Sequence, residues 1–243
     1  MELSIAAYIV LALAAFAAGA AKTGVPGLVI VCVTLAPLAI PTKLSTGYIL
    51  PFLVFADIIA IIYWRKDVLW KIIFKVMPAM FIGIFAGYLL MGRIDDTIYG
   101  KVLGGIIIFI LLLDWARRRF EIPFPINSRI FAWTMGLLSG IMTMLANAGV
   151  PVTAIYLLAM GVTKQEFVGI SAWLFFFVNL SKIPFSWDLG LTTPESLWIN
   201  LLLLPCVLLG CVAGIFAMRT ISEETFNTLM RVLAFAGGAK LFF

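Results

Sequence analysis

Histidine is absent from all 243 residues, and Cys32, Cys206 and Cys211 lie inside apolar runs with no Cys-x-x-Cys spacing. Zinc, haem and histidine-based acid–base catalysis therefore have no residue set to rest on. Charge is scarce too: Asp, Glu, Lys and Arg make up 12% of the chain, where soluble domains carry about one-quarter. No Walker-type phosphate loop and no soluble nucleotide-binding unit is found, so any active transport by this chain would need an ion gradient or a partner. From these absences we expect no cofactor, no metal, no catalytic residue and no enzyme.

What the chain has in excess is apolar surface. It is 63% hydrophobic with a mean hydropathy of +1.13, more than a water-soluble fold can hide. Apolar stretches at about 3–40, 45–64, 69–91, 97–115, 128–160, 165–184, 195–217 and 224–243 leave only short connections between them. A hydrocarbon core of ~30 Å needs roughly 20 such residues per crossing, which predicts an all-α polytopic membrane protein. The formal charge of +5 raises the question of nucleic acid, but the basic residues sit in short loops between spans, where they set orientation. We expect no nucleic-acid partner, and a lipid bilayer instead. The first 21 residues end in small side chains like a signal peptide, yet Glu2 is their only charged side chain, so we read them as a mature membrane segment.

The first and fifth stretches are too long for one crossing at ~1.5 Å per residue. Each is broken midway, at Lys22-Thr23-Gly24-Val25-Pro26-Gly27 and at Asn147-Ala148-Gly149-Val150-Pro151, and each reads as a helical hairpin. The recurrence belongs to an internal duplication. Gly24-Val25-Pro26 answers Gly149-Val150-Pro151, Thr42-Lys43 answers Thr163-Lys164, Asp57 falls near Asn179, and Gly83xxxGly87 answers Gly210xxxGly214. Arg93-Ile94-Asp95-Asp96 likewise resembles Arg219-Thr220-Ile221-Ser222-Glu223-Glu224.

Residues 1–120 and 121–243 then form two repeats of one integrated membrane domain, each a broken helical hairpin plus three transmembrane helices. That count returns each half to the opposite face, so the repeats are expected to be inverted, as in many secondary transporters. Arg65, Lys66, Lys71, Lys75, Arg117, Arg118, Arg119, Arg129, Lys164 and Arg219 collect on one face, and Lys43, Arg93, Lys101, Lys182 and Lys240 on the other. By the positive-inside rule the first face is cytoplasmic, which places both termini outside a cell (inner or plasma) membrane.

The hairpin breaks are the candidate site, because irregular backbone at membrane depth persists only where protein or a wet cavity satisfies it. Pro26 and Pro151 fall near the first-turn position of a new helix, whose free amides and dipole favour an anion. Gly24, Gly27 and Gly149 permit close backbone approach, Lys22 and Thr23 add a charge and a hydroxyl, and Thr143 and Asn147 add neutral polar groups. Against this stands the plainer reading, in which Lys22 snorkels to an interface and the Gly-Pro pairs only turn the chain. Two breaks at matching places favour the binding reading.

Asp57, inside the second apolar run, is costly there and reads either as a proton-coupling carboxyl or as half of a structural ion pair with a lysine. Thr42 and Thr163 are expected to cap helices, with Lys43 and Lys164 snorkelling to an interface, a reading favoured over substrate recruitment. The Gly-xxx-Gly pairs serve packing within the chain or a homodimer.

Ala14-Ala15-Phe16-Ala17-Ala18-Gly19-Ala20 before the Gly-Val-Pro-Gly break, its Gly-Val-Pro echo and the duplicated layout together resemble the TauE/SafE family of sulfite exporters, over essentially the whole chain. The resemblance implies a transporter, working as an exporter, of small sulfur-containing oxyanions such as sulfite, sulfoacetate or related organosulfonates. Ala21-Lys22-Thr23-Gly24 departs from the glycine-richer pattern of many relatives and points to a different or larger anion. A passive anion channel using the same helix ends is the alternative reading, with a membrane-embedded enzyme less favoured.

Overall fold

The structure is a computed structural model that describes residues 3–93 and 128–226 together with Thr228, Leu229 and Val232. The apolar stretch at 97–115, most of that at 224–243, Lys101, Arg117, Arg118, Arg119 and Lys240 lie outside the described residues.

Every element among the described residues is helical: α1 (Ile5–Thr23), α2 (Val29–Leu35), α3 (Thr42–Trp64), α4 (Trp70–Met91), α5 (Arg129–Ala146), α6 (Val150–Ala159), α7 (Lys164–Asp188) and α8 (Pro194–Thr220). Six of these, α1, α3, α4, α5, α7 and α8, are long and apolar enough to cross a membrane. Large apolar side chains stand on their outer faces, among them Ile62, Phe74, Leu209 and Phe216, each more than half exposed. Such a surface is stable against lipid and not against water.

Both expected hairpins form. The first runs α1, a short turn of 3-10 helix at Pro26–Leu28, then α2; the second runs α5 then α6. In each, a long first arm is followed by an arm too short to span, only 10 residues in α6.

Helix starts follow local chemistry. Thr163 caps α7 in a reciprocal capping box with Glu166, as expected. Thr42 does not cap α3: Pro41 takes that position with an extended ψ of 136°, and Thr42 is the first helical residue. Proline fixes the chain's entry angle without a capping side chain.

Small residues set the helix pairing. The most extensive pairs are α4 with α5 and α1 with α8, so each hairpin's long arm leans on the last described spanning helix of the other half. A Cβ on Gly210 would lie 2.0 Å from the Phe16 carbonyl oxygen, and one on Gly83 would lie 2.2 Å from that of Leu137. Both Gly-xxx-Gly pairs are therefore packing surfaces within the chain.

Helices α3 and α7 pack antiparallel at the centre. Gly47 abuts Leu191, Asp57 meets Asn179, and Gly169 abuts the backbone of Asp67. At one end, the Lys164 ammonium donates to the carbonyls of Met218 (3.3 Å) and Ile221, and the Arg219 guanidinium to the Tyr63 hydroxyl. At the other end, the Tyr88 hydroxyl donates to the Asp188 carboxylate at 2.6 Å.

Candidate functional site

Local sequence explains how the breaks form. Helix α5 ends at Asn147, whose φ of 54° is the only left-handed backbone outside glycine among the described residues. Asparagine tolerates that region better than other non-glycine residues, and its carboxamide stays available. Gly149 follows with no room for a side chain: a Cβ would lie 2.8 Å from the Ser139 carbonyl oxygen. The Ser139 hydroxyl, beside that of Thr153, donates to the Gly149 carbonyl at 3.0 Å. At the first break, a Cβ on Gly24 would lie 2.1 Å from the Gly214 carbonyl oxygen. Gly27 is buried in the turn that follows.

Not every backbone group at the breaks faces a ligand. The amides of Gly24 and Val25 both donate to the Ala20 carbonyl, and those of Asn147 and Ala148 to the carbonyls of Thr143 and Met142. The Thr23 hydroxyl is held between the carbonyls of Gly19 (3.0 Å) and Cys211 (2.7 Å), while its own carbonyl accepts from the Trp64 indole at 2.9 Å. Thr23 thus ties the first tip to α8 and to the end of α3.

The side chains at the tips are linked through α3 and α7 into one buried polar chain. The Lys22 ammonium pairs with one Asp57 carboxylate oxygen at 2.7 Å and lies 4.7 Å from the centre of the Phe175 ring. The other Asp57 oxygen accepts from the Asn179 carboxamide at 2.7 Å. The Asn179 carbonyl oxygen accepts from the Lys182 ammonium at 3.3 Å, which also donates to the Asn147 carbonyl oxygen at 2.5 Å and lies 3.4 Å from the Thr143 hydroxyl. Finally the Asn147 amide donates to the Thr46 carbonyl at 2.9 Å. Lys22 is 8% exposed, Lys182 3% and Asp57 0%.

Lys22, Asp57, Thr143 and Asn147 are thus brought together, Gly24, Gly27 and Gly149 shape the backbone behind them, and Thr23 faces away into helix packing. The structure also corrects the placement of Lys182: it is not a loop charge on one membrane face but a buried cation within α7. Its signal was its place three residues after Asn179, on the same helix face. Ser171, Phe175, Asn179 and Lys182 recur at helical spacing and make one stripe of α7. The buried Ser171 hydroxyl has no hydrogen-bond partner among the described residues.

The network gathers two buried ammonium groups, the kind of donor that holds an oxygen-rich anion, and here both are paired with oxygens of the chain itself. No group of three or more metal-ligating side chains occurs among the described residues. A family model described as Sulfite exporter TauE/SafE matches residues 10–241, nearly the whole chain. No curated protein and no solved structure matches.

Proposed function

The chain belongs to the TauE/SafE family of sulfite exporters, and from that premise we propose that it is a secondary transporter that exports small sulfur-containing oxyanions: sulfite, sulfoacetate or related organosulfonates. The observation that carries this reading is the buried chain from Lys22 through Asp57, Asn179 and Lys182 to Asn147, which places two ammonium groups and one carboxylate between the hairpin breaks. Ionisable groups at that depth are costly and cluster on substrate and ion pathways. Lys22, Lys182, Asn147 and Thr143 are the proposed anion contacts. Gly24 and Gly149 let the tips pack closely on Gly214 and Ser139, Gly27 lies buried in the turn, and Thr23 holds the first tip in place.

Alternating access in this reading comes from movement of one repeat, 1–120, against an inverted second, 121–243. Support comes from the exchange of partners, α1 on α8 and α5 on α4, and from the antiparallel meeting of Asp57 with its repeat-mate Asn179. The end that carries Arg65, Lys164 and Arg219 is assigned to the cytoplasm of a cell membrane.

In proteoliposomes, sulfite and organosulfonates should enter saturably and compete with one another, while carboxylate analogues of equal size should not. A preference for carboxylates or cations would overturn the sulfur-oxyanion reading; large, electrogenic, unsaturable flux would identify a channel.

Asp57 is proposed as the coupling group, since protonating it would release Lys22 and change the charge of the network. Transport by Asp57→Asn should then lose the pH dependence seen with the native chain, measured as initial uptake rate across pH 5–8. Full retention of that dependence would leave Asp57 as a structural partner of Lys22 alone.

A further inference from the structure

Lys22, Asp57 and Lys182 are the only charged side chains among the buried described residues, and they sum to one positive charge. The three are not equivalent. Both Asp57 oxygens are occupied, one by the Lys22 ammonium and one by the Asn179 carboxamide, so the charge of Lys22 is met directly. Lys182 touches only neutral oxygens, those of Asn147, Asn179 and Thr143. Dipoles of this kind lower the cost of a buried ammonium but do not cancel its charge.

We propose that this single excess charge, centred on Lys182, selects anions of one negative charge, so that the site takes a sulfonate with no second ionised group, or hydrogensulfite, ahead of dianions. The inference rests on the transport reading above and adds a charge rule to it. A monoanion beside Lys182 leaves the buried cluster neutral. A dianion leaves an uncompensated negative charge in the same low-dielectric space, which is a large penalty. Asp57 is the residue that sets the count, because it removes one of the two positive charges that the lysines bring. Substituting it changes selectivity as well as rate.

Isethionate and sulfoacetate test this cleanly. Both are two-carbon sulfonates, and they differ in that isethionate ends in a hydroxyl and sulfoacetate in a carboxylate, which is ionised at neutral pH. In proteoliposomes at fixed neutral pH, the native chain should favour isethionate over sulfoacetate by roughly tenfold or more in competition against a labelled sulfonate. Asp57→Asn raises the count to two positive charges and should reverse the preference towards sulfoacetate.

Asp57→Asn leaves Lys22 without its carboxylate and risks misfolding, so Lys22→Gln with Asp57→Asn is the companion: it restores a count of one and should bring the ratio back to the isethionate side. A native preference for sulfoacetate, or a ratio that ignores the buried count across these variants, overturns the charge rule while leaving transport intact. If neither sulfonate nor sulfite enters saturably, the transport reading fails and the charge rule falls with it.

Discussion

Lys182→Gln is expected to lower saturable anion uptake by roughly 10- to 100-fold, with the fold retained. Glutamine keeps an N–H donor for the Asn147 and Asn179 oxygens, which Lys182 meets at 2.5 and 3.3 Å, and removes the charge. A charge-assisted hydrogen bond contributes about 1.5–3 kcal/mol, against about 1 kcal/mol for a neutral one, so the loss should appear in affinity for the anion. Monodispersity and melting temperature in detergent check the fold; Km and maximal rate in proteoliposomes check the function. Removing a buried cation relieves a desolvation cost, so the variant should melt no lower than the native chain. Unchanged anion affinity would make Lys182 a structural bridge between α7 and the second hairpin.

The second large effect is expected at the helix contacts. Gly210→Ala should destabilise the chain by about 1–3 kcal/mol or more, because overpacking at a close contact forces backbone shifts. The added Cβ would lie 2.0 Å from the Phe16 carbonyl oxygen, a backbone atom that cannot turn aside, so α1 and α8 must separate. Gly83→Ala should act in the same way at α4 and α5, where the Leu137 carbonyl oxygen is 2.2 Å from the new atom. Gly92→Ala is the control: its nearest neighbours would be 3.8 Å away, ordinary contact, and its effect should stay within about 0.5 kcal/mol. Thermal unfolding in detergent reads these differences. Were the glycine faces dimer surfaces instead, Gly210→Ala would shift the oligomeric state and leave the melting of the monomer unchanged.

Separation of α1 from α8 would also disturb transport, since Thr23, one residue after Lys22, anchors the tip to the Cys211 carbonyl of α8 at 2.7 Å. Packing and site share these residues. A glycine variant is therefore expected to lose uptake and stability together, whereas Lys182→Gln should lose uptake alone.

Much of this was legible in the chain. The apolar runs announced spanning helices because bilayer thickness fixes their length. The two Gly-Val-Pro breaks announced hairpins because proline and glycine end one helix and admit the start of another. Asp57, Lys22 and Asn147 stood out as polar residues in apolar surroundings. Lys182 also lay in an apolar run, but its position near the carboxyl end of that run gave it the look of an interface charge.

Which polar residues meet was not legible. Lys22 and Asp57 are 35 residues apart, and Asp57 and Asn179 are 122 apart. The sequence by itself determined the helices, the breaks and the family, which follow from local periodicity, turn chemistry and hydrophobic length. Tertiary structure decided that Lys22 is matched by Asp57, that Lys182 is the buried cation without a carboxylate, and that Thr23 faces α8. Those outcomes depend on the register in which glycine-lined helices pack, and register is fixed by contacts between surfaces that no single segment contains.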